Sequence, residues 1–159
     1  MSEIQIRKAT FEDAPLILHF VKELAVYEKA EAAVTATIED IQDSIFSEDS
    51  NTHALICSIN DQAVGFAVYF YNYSTWLGKK GLYLEDLYVS PKYRQSGIGK
   101  KLFKYIANIA VNNNCGRFEW SVLDWNKPAI EFYESFGAEP QTEWTVYRLS
   151  GKVLDELAK

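Results

Sequence analysis

The residues that could do chemistry gather at a few places in this chain. Arg94-Gln95-Ser96-Gly97-Ile98-Gly99 stands between an apolar, strand-like run at residues 82–89 and a helix-like run at residues 100–112. A glycine-rich turn between strand and helix leaves several main-chain N–H groups outside any ladder and pointing one way. With the positive end of the helix dipole, such groups can hold a phosphate or pyrophosphate. Glu85 and Asp86 interrupt the same apolar strand, and burying an unpaired carboxylate is costly. Either a nearby Lys or Arg neutralises them or a bound cation does. Strand alternation sends the two side chains to opposite faces unless a bulge re-aims them. Glu28 ends a helical pattern beside Tyr27, where a carboxylate opposes the helix dipole. Lys29 or a bound cation would offset it.

Other chemistries find less support. A Walker A loop needs GxxxxGK[ST], which is absent. A dinucleotide fingerprint needs a third glycine, but Lys100, Lys101 and Leu102 follow Gly99. His19 and His53 are isolated, so neither a metal site nor a triad is expected. Cys57 lies in an apolar strand and reads as a buried thiol. Cys115 follows three asparagines and has no visible base, which argues against an acyl-cysteine intermediate.

These groups sit in a chain of 159 residues, the size of one domain spanning residues 1–159. The net charge of −6 argues against general nucleic-acid binding. Lys92, Arg94, Lys100, Lys101 and Lys104 nevertheless crowd around the glycine turn, while acids collect elsewhere. Two cysteines without CxxC spacing, and an N-terminus without an apolar signal core, fit a reducing cytoplasm. The longest apolar stretch, residues 63–71, is too short to span a bilayer.

The elements that must position the chemistry follow from periodicity and turn chemistry. Residues 4–9 alternate like a strand. Thr10 and Asp13 form a capping-box pattern before a helix with Ala14, Ile17, Leu18, Val21 and Leu24 on one face. Thr37 and Asp40 open a second, shorter helix. Residues 52–59 and 62–71 read as strands around Asn60-Asp61, a hairpin signal. Residues 72–80 read as an aromatic loop. After the glycine turn and its helix come a strand at 118–123, a helix from Pro128 to a stop at Gly137, a last strand at 144–149 and a terminal helix at 153–158. This order predicts a mixed α/β sheet covered by helices.

The motifs together resemble a known family. Val89-Ser90-Pro91-Lys92-Tyr93-Arg94-Gln95-Ser96-Gly97-Ile98-Gly99-Lys100 is similar to the acetyl-CoA motif of GCN5-related N-acetyltransferases (GNAT). Asp124-Trp125-Asn126-Lys127-Pro128 through Phe132-Tyr133 to Gly137-Ala138 resembles that family's second motif. The segments around Tyr27-Glu28, Trp76 and Leu84-Glu85-Asp86-Leu87 are similar to the diamine (spermidine/spermine) branch. Leu123-Asp124-Trp125-Asn126 leans toward its thialysine N-epsilon-acetyltransferase subgroup. Gln95 departs from the pattern, since many members carry glycine there. The fold implied is a mixed, mostly antiparallel central sheet flanked by helices.

The resemblance implies an N-acetyltransferase that moves an acetyl group from acetyl-CoA to a primary amine by direct attack in a ternary complex. The pyrophosphate is expected on the amides of Gln95, Ser96, Gly97, Ile98, Gly99 and Lys100, in the turn that Arg94 opens. Leu87, Tyr88 and Val89 are expected to offer main-chain groups to the pantetheine arm and thioester carbonyl. Asn126 is expected to hold the cofactor, to cap a helix, or both. Tyr133 reads as a core tyrosine from its neighbours, and the matched motif makes it the general acid instead. Glu85 is the expected base or amine anchor, with Tyr27, Glu28, Trp76 and Asp86 lining the acceptor site. Glu143 is a further candidate carboxylate. No metal is expected. A small cationic acceptor and a homodimer are implied. The alternatives are a protein or peptide amine acetyltransferase, or an acetyl-CoA-binding regulatory module with little turnover.

Overall fold

The capping signals of the N-terminal half form as their spacing requires in the computed structural model, which describes residues 3–159. Strand β1 (Ile4–Lys8) turns through Thr10 into helix α1 (Ala14–Tyr27). The Thr10 amide donates to the Asp13 carboxylate at 2.7 Å. Asp13 also accepts from both terminal nitrogens of Arg7, at 2.7 and 2.9 Å. These Arg7 bonds hold its carboxyl down at about 2. Thr37 and Asp40 exchange bonds of 2.8 and 3.1 Å at the start of α2 (Ile38–Ile45).

Strands β2 (Thr52–Ile59) and β3 (Gln62–Ser74) are joined by Asn60 and Asp61, with φ of 49° and 64°. Two positive φ values in a two-residue connection match the twist of the strands they join. Strand β4 (Lys79–Val89) returns along β3. The aromatic loop expected over residues 72–80 is therefore shorter. Asn72 and Tyr73 belong to β3, because their pairing with Gly81 and Lys80 extends the hairpin. Helix α3 (Ile98–Asn112) then crosses to β5 (Phe118–Trp120), which lies parallel to β4.

The sheet order is β1-β2-β3-β4-β5, antiparallel throughout except for the last pair. It is the mixed, mostly antiparallel sheet expected. Ile17, Phe20 and Ile41 from α1 and α2 pack on Ile56, Phe66, Val68 and Tyr88 of one face. Alternation turns Leu55 and Cys57, both fully buried, to the other face. Helix α3 covers that side, where Phe103 stacks on Phe118 at 5.0 Å and Lys101 Nζ donates to the Ile4 carbonyl at 3.3 Å.

The sheet and these helices make one compact unit that ends at Ser121. A second, Val122–Lys159, contains α4 (Lys127–Glu134) and α5 (Gly151–Leu157). The strand expected at residues 144–149 does not form. Trp144, Val146 and Tyr147 are 68%, 83% and 92% exposed. Strand propensity needs a neighbour to pair with, and among the described residues no strand pairs with this segment. Among the described residues no helix is long and apolar enough to cross a membrane.

Candidate functional site

The glycine turn is built by the chain leaving β4. Ser90 N–H donates to the Val64 carbonyl at 2.8 Å, and a short 3-10 turn at Pro91–Tyr93 follows. The Arg94 amide is used inside this turn, donating to the Pro91 carbonyl at 3.2 Å. Gln95 then takes φ of 66° and Gly97 φ of 82°. Gly97 is the N-cap of α3, and the first helical bond runs from Lys101 N–H to its carbonyl at 3.0 Å. The amides of Ile98, Gly99 and Lys100 precede that bond and point out of the helix end. Gln95 stands in the left-handed region, which explains why glycine is common there in the resembling motif.

The strand feeding this turn has an open stretch. Strand β5 pairs with β4 only from Leu82 to Leu84, while β4 runs on to Val89. The Ser90–Val64 bond sets the phase of the β3–β4 ladder, where paired and unpaired positions alternate. By that alternation the main-chain groups of Leu87 and Val89 turn away from β3, toward the side that β5 has left. Those of Tyr88 turn into the ladder. Of the three residues expected to offer main-chain groups, Leu87 and Val89 are the ones placed to do so. Gly65 permits the close approach of β4 here, since a Cβ on it would stand 2.6 Å from the Tyr88 carbonyl oxygen.

The carboxylates are brought together by a bulge. Val68 lies opposite Asp86 and Tyr69 opposite Leu84, so Glu85 has no partner on β3. The extra residue breaks the alternation that would send Glu85 and Asp86 to opposite faces. Glu28 meets them from α1. That helix ends in a Schellman motif, with Lys29 N–H donating to Val26 and Ala30 N–H to Ala25. Lys29 takes the left-handed conformation at φ 59°, which fixes Glu28 as the C-cap. Burial, then the charges of Glu85 and Glu28, push the Asp86 carboxyl up to about 7. Burial and Glu85 raise the Glu28 carboxyl as well. Among the described residues no ion pair includes Glu28, Glu85 or Asp86.

Arg94 links the turn to the last residue of α1. Its Nε donates to the Val89 carbonyl at 2.9 Å. The guanidinium carbon stands 4.9 Å from the Tyr27 ring centre and 5.3 Å from that of Tyr88. Sequence reasoning placed Arg94 with the phosphate and Tyr27 with the acceptor, and missed the contact between them. It also missed Glu23, one helical turn before Tyr27. The Tyr88 phenol is raised by burial and by Glu23, with Arg94 pulling the other way. The i, i+4 spacing of Glu23 and Tyr27 was the available signal.

Trp76 is not brought to this cluster within the chain. It caps the β3–β4 hairpin, 86% exposed, beyond the first residue of β4. At about 3.3 Å per residue, Glu85 stands roughly 20 Å along the strand from that hairpin end.

In the second unit, Asn126 is buried and caps α4, its Oδ1 accepting from the Ala129 amide at 3.4 Å. Pro128 sits in the first turn of that helix. Tyr133 is half-buried, edge-to-face with Phe132 at 5.4 Å. Asn126, Ile130 and Tyr133 follow one another at spacings of four and three, so they share a face of α4. Glu143 is exposed. Among the described residues no group of His, Cys, Asp and Glu could hold a metal ion.

The chain is similar to known proteins along most of its length. Residues 18–138 match the family described as the acetyltransferase (GNAT) family. The chain is 38% identical to a thialysine N-epsilon-acetyltransferase of Sus scrofa, covering 99% of both. It is 35% identical to a spermidine/spermine N(1)-acetyltransferase-like protein of Homo sapiens, over 99% of this chain and 24% of that protein. Among solved structures, an integron cassette protein from the mobile metagenome of V. cholerae superposes with a TM-score of 0.81. That protein is 32% identical, with 98% of each chain covered.

Proposed function

Because this chain belongs to the GNAT acetyltransferase family, we propose that it transfers an acetyl group from acetyl-CoA to a primary amine of a small cationic acceptor, by direct attack in a ternary complex. Thialysine, diamines and polyamines are the acceptor class. The observation that carries the acceptor is the trio Glu28, Glu85 and Asp86, gathered by a bulge and a helix cap without a cation from the chain. A cationic amine supplies the missing charge.

The residues present fit the donor. The amides of Gln95 to Lys100 surround a left-handed glycine at a helix N-terminus, which suits a pyrophosphate. Leu87 and the Val89 N–H suit an extended arm lying along β4, because they face the side that β5 has left, while Arg94 holds the Val89 carbonyl. Acetyl-CoA supplies an activated acetyl thioester there.

The chain's own residues then manage protons. A free primary amine has a pKa near 10.4, so it must lose a proton before attack. Glu85 takes that proton, directly or through water, and Glu28 and Asp86 hold the remaining positive charge of the acceptor. Tyr133 donates a proton to the departing thiolate. A phenol of pKa about 10 can do this for a thiol of pKa about 8.5. Asn126 helps to hold the cofactor while it caps α4.

The reading treats residues 1–159 as one acetyltransferase domain, supported by a family match that runs across both compact units. It includes a homodimer, supported by the exposed Trp144, Val146 and Tyr147, and a cytoplasmic location, supported by two unspaced thiols. Light scattering tests the first of these. The test of the function is CoA release over thialysine, lysine, diamines, polyamines and peptides. Release with the small amines and none with peptides is expected. Peptide preference would move the reading to a protein acetyltransferase, and CoA binding without release to a regulatory module.

A further inference from the structure

Arg94 belongs to the phosphate turn by sequence, yet its side chain points to the other end of the site. The main chain on either side of it is committed to the turn: its amide donates to Pro91, and Gln95 follows in the left-handed region. The side chain turns back along β4 to donate from Nε to the Val89 carbonyl at 2.9 Å. That bond uses a carbonyl on the side of β4 that β5 leaves open. The guanidinium then lies against two aromatic rings, Tyr27 at 4.9 Å and Tyr88 at 5.3 Å. Tyr88 is buried in the core face under α1. Tyr27 is the last residue of α1, and Glu28 is its cap. One planar cation therefore ties the exit of β4, the start of the phosphate turn and the C-terminal turn of α1.

We infer that Arg94 is a positioning residue that couples the donor site to the acceptor site: filling the phosphate turn fixes Arg94, and Arg94 holds Tyr27, and with it Glu28, toward Glu85 and Asp86. The α1 terminus has reasons to move without this clamp. It carries a non-glycine residue in the left-handed conformation at Lys29. It also carries a carboxylate that faces both the helix dipole and the like charge of Glu85. One Glu23 carboxylate oxygen beneath it is buried without a hydrogen-bond partner. A contact that orders this turn lowers the cost for the amine that binds next, which is positive cooperativity between the two substrates. Lysine cannot replace Arg94 here, since it lacks both the Nε donor and the flat face that stacks on the rings.

The inference rests on the acetyltransferase reading for the identity of the second ligand, but the coupling itself is read without turnover. Hydrogen exchange of residues 24–31 is measured with and without saturating CoA, with CoA binding followed separately by calorimetry. In the wild type, CoA is expected to slow exchange by about two- to fivefold, the factor such a cation–ring contact is worth. Arg94→Lys and Tyr27→Leu are expected to abolish the slowing, and Tyr27→Phe to keep it. Tyr27→Leu leaves the phosphate turn intact, so it separates loss of coupling from loss of CoA binding. With an acceptor identified, both disruptive variants are expected to raise the amine KM more than the acetyl-CoA KM, and their double variant to be no worse than the stronger single one. Unchanged exchange in the wild type on binding CoA, or protection that survives Tyr27→Leu, would overturn the coupling. Absence of CoA release with every amine would overturn the acetyltransferase reading alone, because the exchange result stands without it.

Discussion

Glu28 at the C-cap of α1 and Glu85 in the bulge of β4 repel one another across the gap between helix and strand. The repulsion comes from two local features. A Schellman turn fixes where Glu28 stands, and one unpaired residue re-aims the strand beside Asp86. Neither acid belongs to the apolar cluster that Ile17, Phe66 and Val68 form. A fold that gathers like charges without a counter-charge gives up stability to hold a ligand of opposite sign.

That loss sets a pH dependence. The Asp86 carboxyl is raised to about 7 in the folded protein, against an ordinary value of 3.8. Between these values the folded state keeps a proton that the unfolded chain has released. Its contribution is therefore fully present below about pH 4 and is lost as pH rises through 7. Asp86→Asn is expected to melt a few degrees higher than wild type at pH 8, with the difference shrinking toward pH 4. Thermal melts of both proteins from pH 4 to 8 check this, and the comparison cancels carboxylates such as Asp13 that titrate the other way. A gap that grows toward low pH would refute the assignment.

The same trio predicts how substitution divides between the two substrates. In the proposed function, Glu28→Gln and Glu85→Gln each remove a charge that faces the acceptor and leave the phosphate turn untouched. Both are expected to raise the KM for a diamine by about tenfold, the factor for one charge-assisted contact, and the acetyl-CoA KM by much less. Glu85→Gln should also lower kcat, because it removes the proton acceptor, whereas Glu28→Gln should not. Steady-state kinetics with each substrate varied in turn decide the matter. Equal effects on both KM values would remove the acids from the acceptor site.

Much of this was readable before the structure, for reasons that differ by element. Capping boxes at Thr10 and Thr37 and the Asn60-Asp61 turn act over three or four residues, so local chemistry determines them. The glycine turn was readable because positive φ and exposed amides constrain residue type directly. The side on which Glu85 and Asp86 meet was not readable, since a bulge depends on the register between β3 and β4 rather than on β4 itself. The Arg94 clamp was hidden likewise, because it joins residues far apart in sequence. The expected strand at 144–149 carried the right residues, but pairing is a property of two segments.

The turn makes its own prediction about backbone strain. Gln95 and Gly97 both have positive φ, at 66° and 82°. The left-handed conformation costs a residue with a Cβ roughly 1 kcal/mol or more, and glycine almost nothing. Gln95→Gly is expected to raise the melting temperature slightly and to leave acetyl-CoA affinity intact. Gly97→Ala is expected to destabilise by about 1 kcal/mol and to weaken acetyl-CoA. No atom lies within 4 Å of a Cβ built on Gly97, so the cost there is conformational and not steric. Denaturant melts and calorimetry with CoA distinguish these outcomes, and equal stability of Gly97→Ala and wild type would contradict them.

Tyr133 is the proposed acid of the last step, and its test separates chemistry from packing. The residue is half-buried against Phe132 and shares a face of α4 with Asn126. Tyr133→Phe keeps the ring and its edge-to-face contact and deletes only the hydroxyl. If the hydroxyl protonates the departing thiolate, turnover falls by about tenfold or more while acetyl-CoA binding and the melting temperature hold. A donor with a better leaving group offers a further control: an acetyl thioester of a more acidic thiol should recover part of the lost rate. Unchanged turnover in Tyr133→Phe would leave the residue as a packing tyrosine and require the thiolate to leave unprotonated.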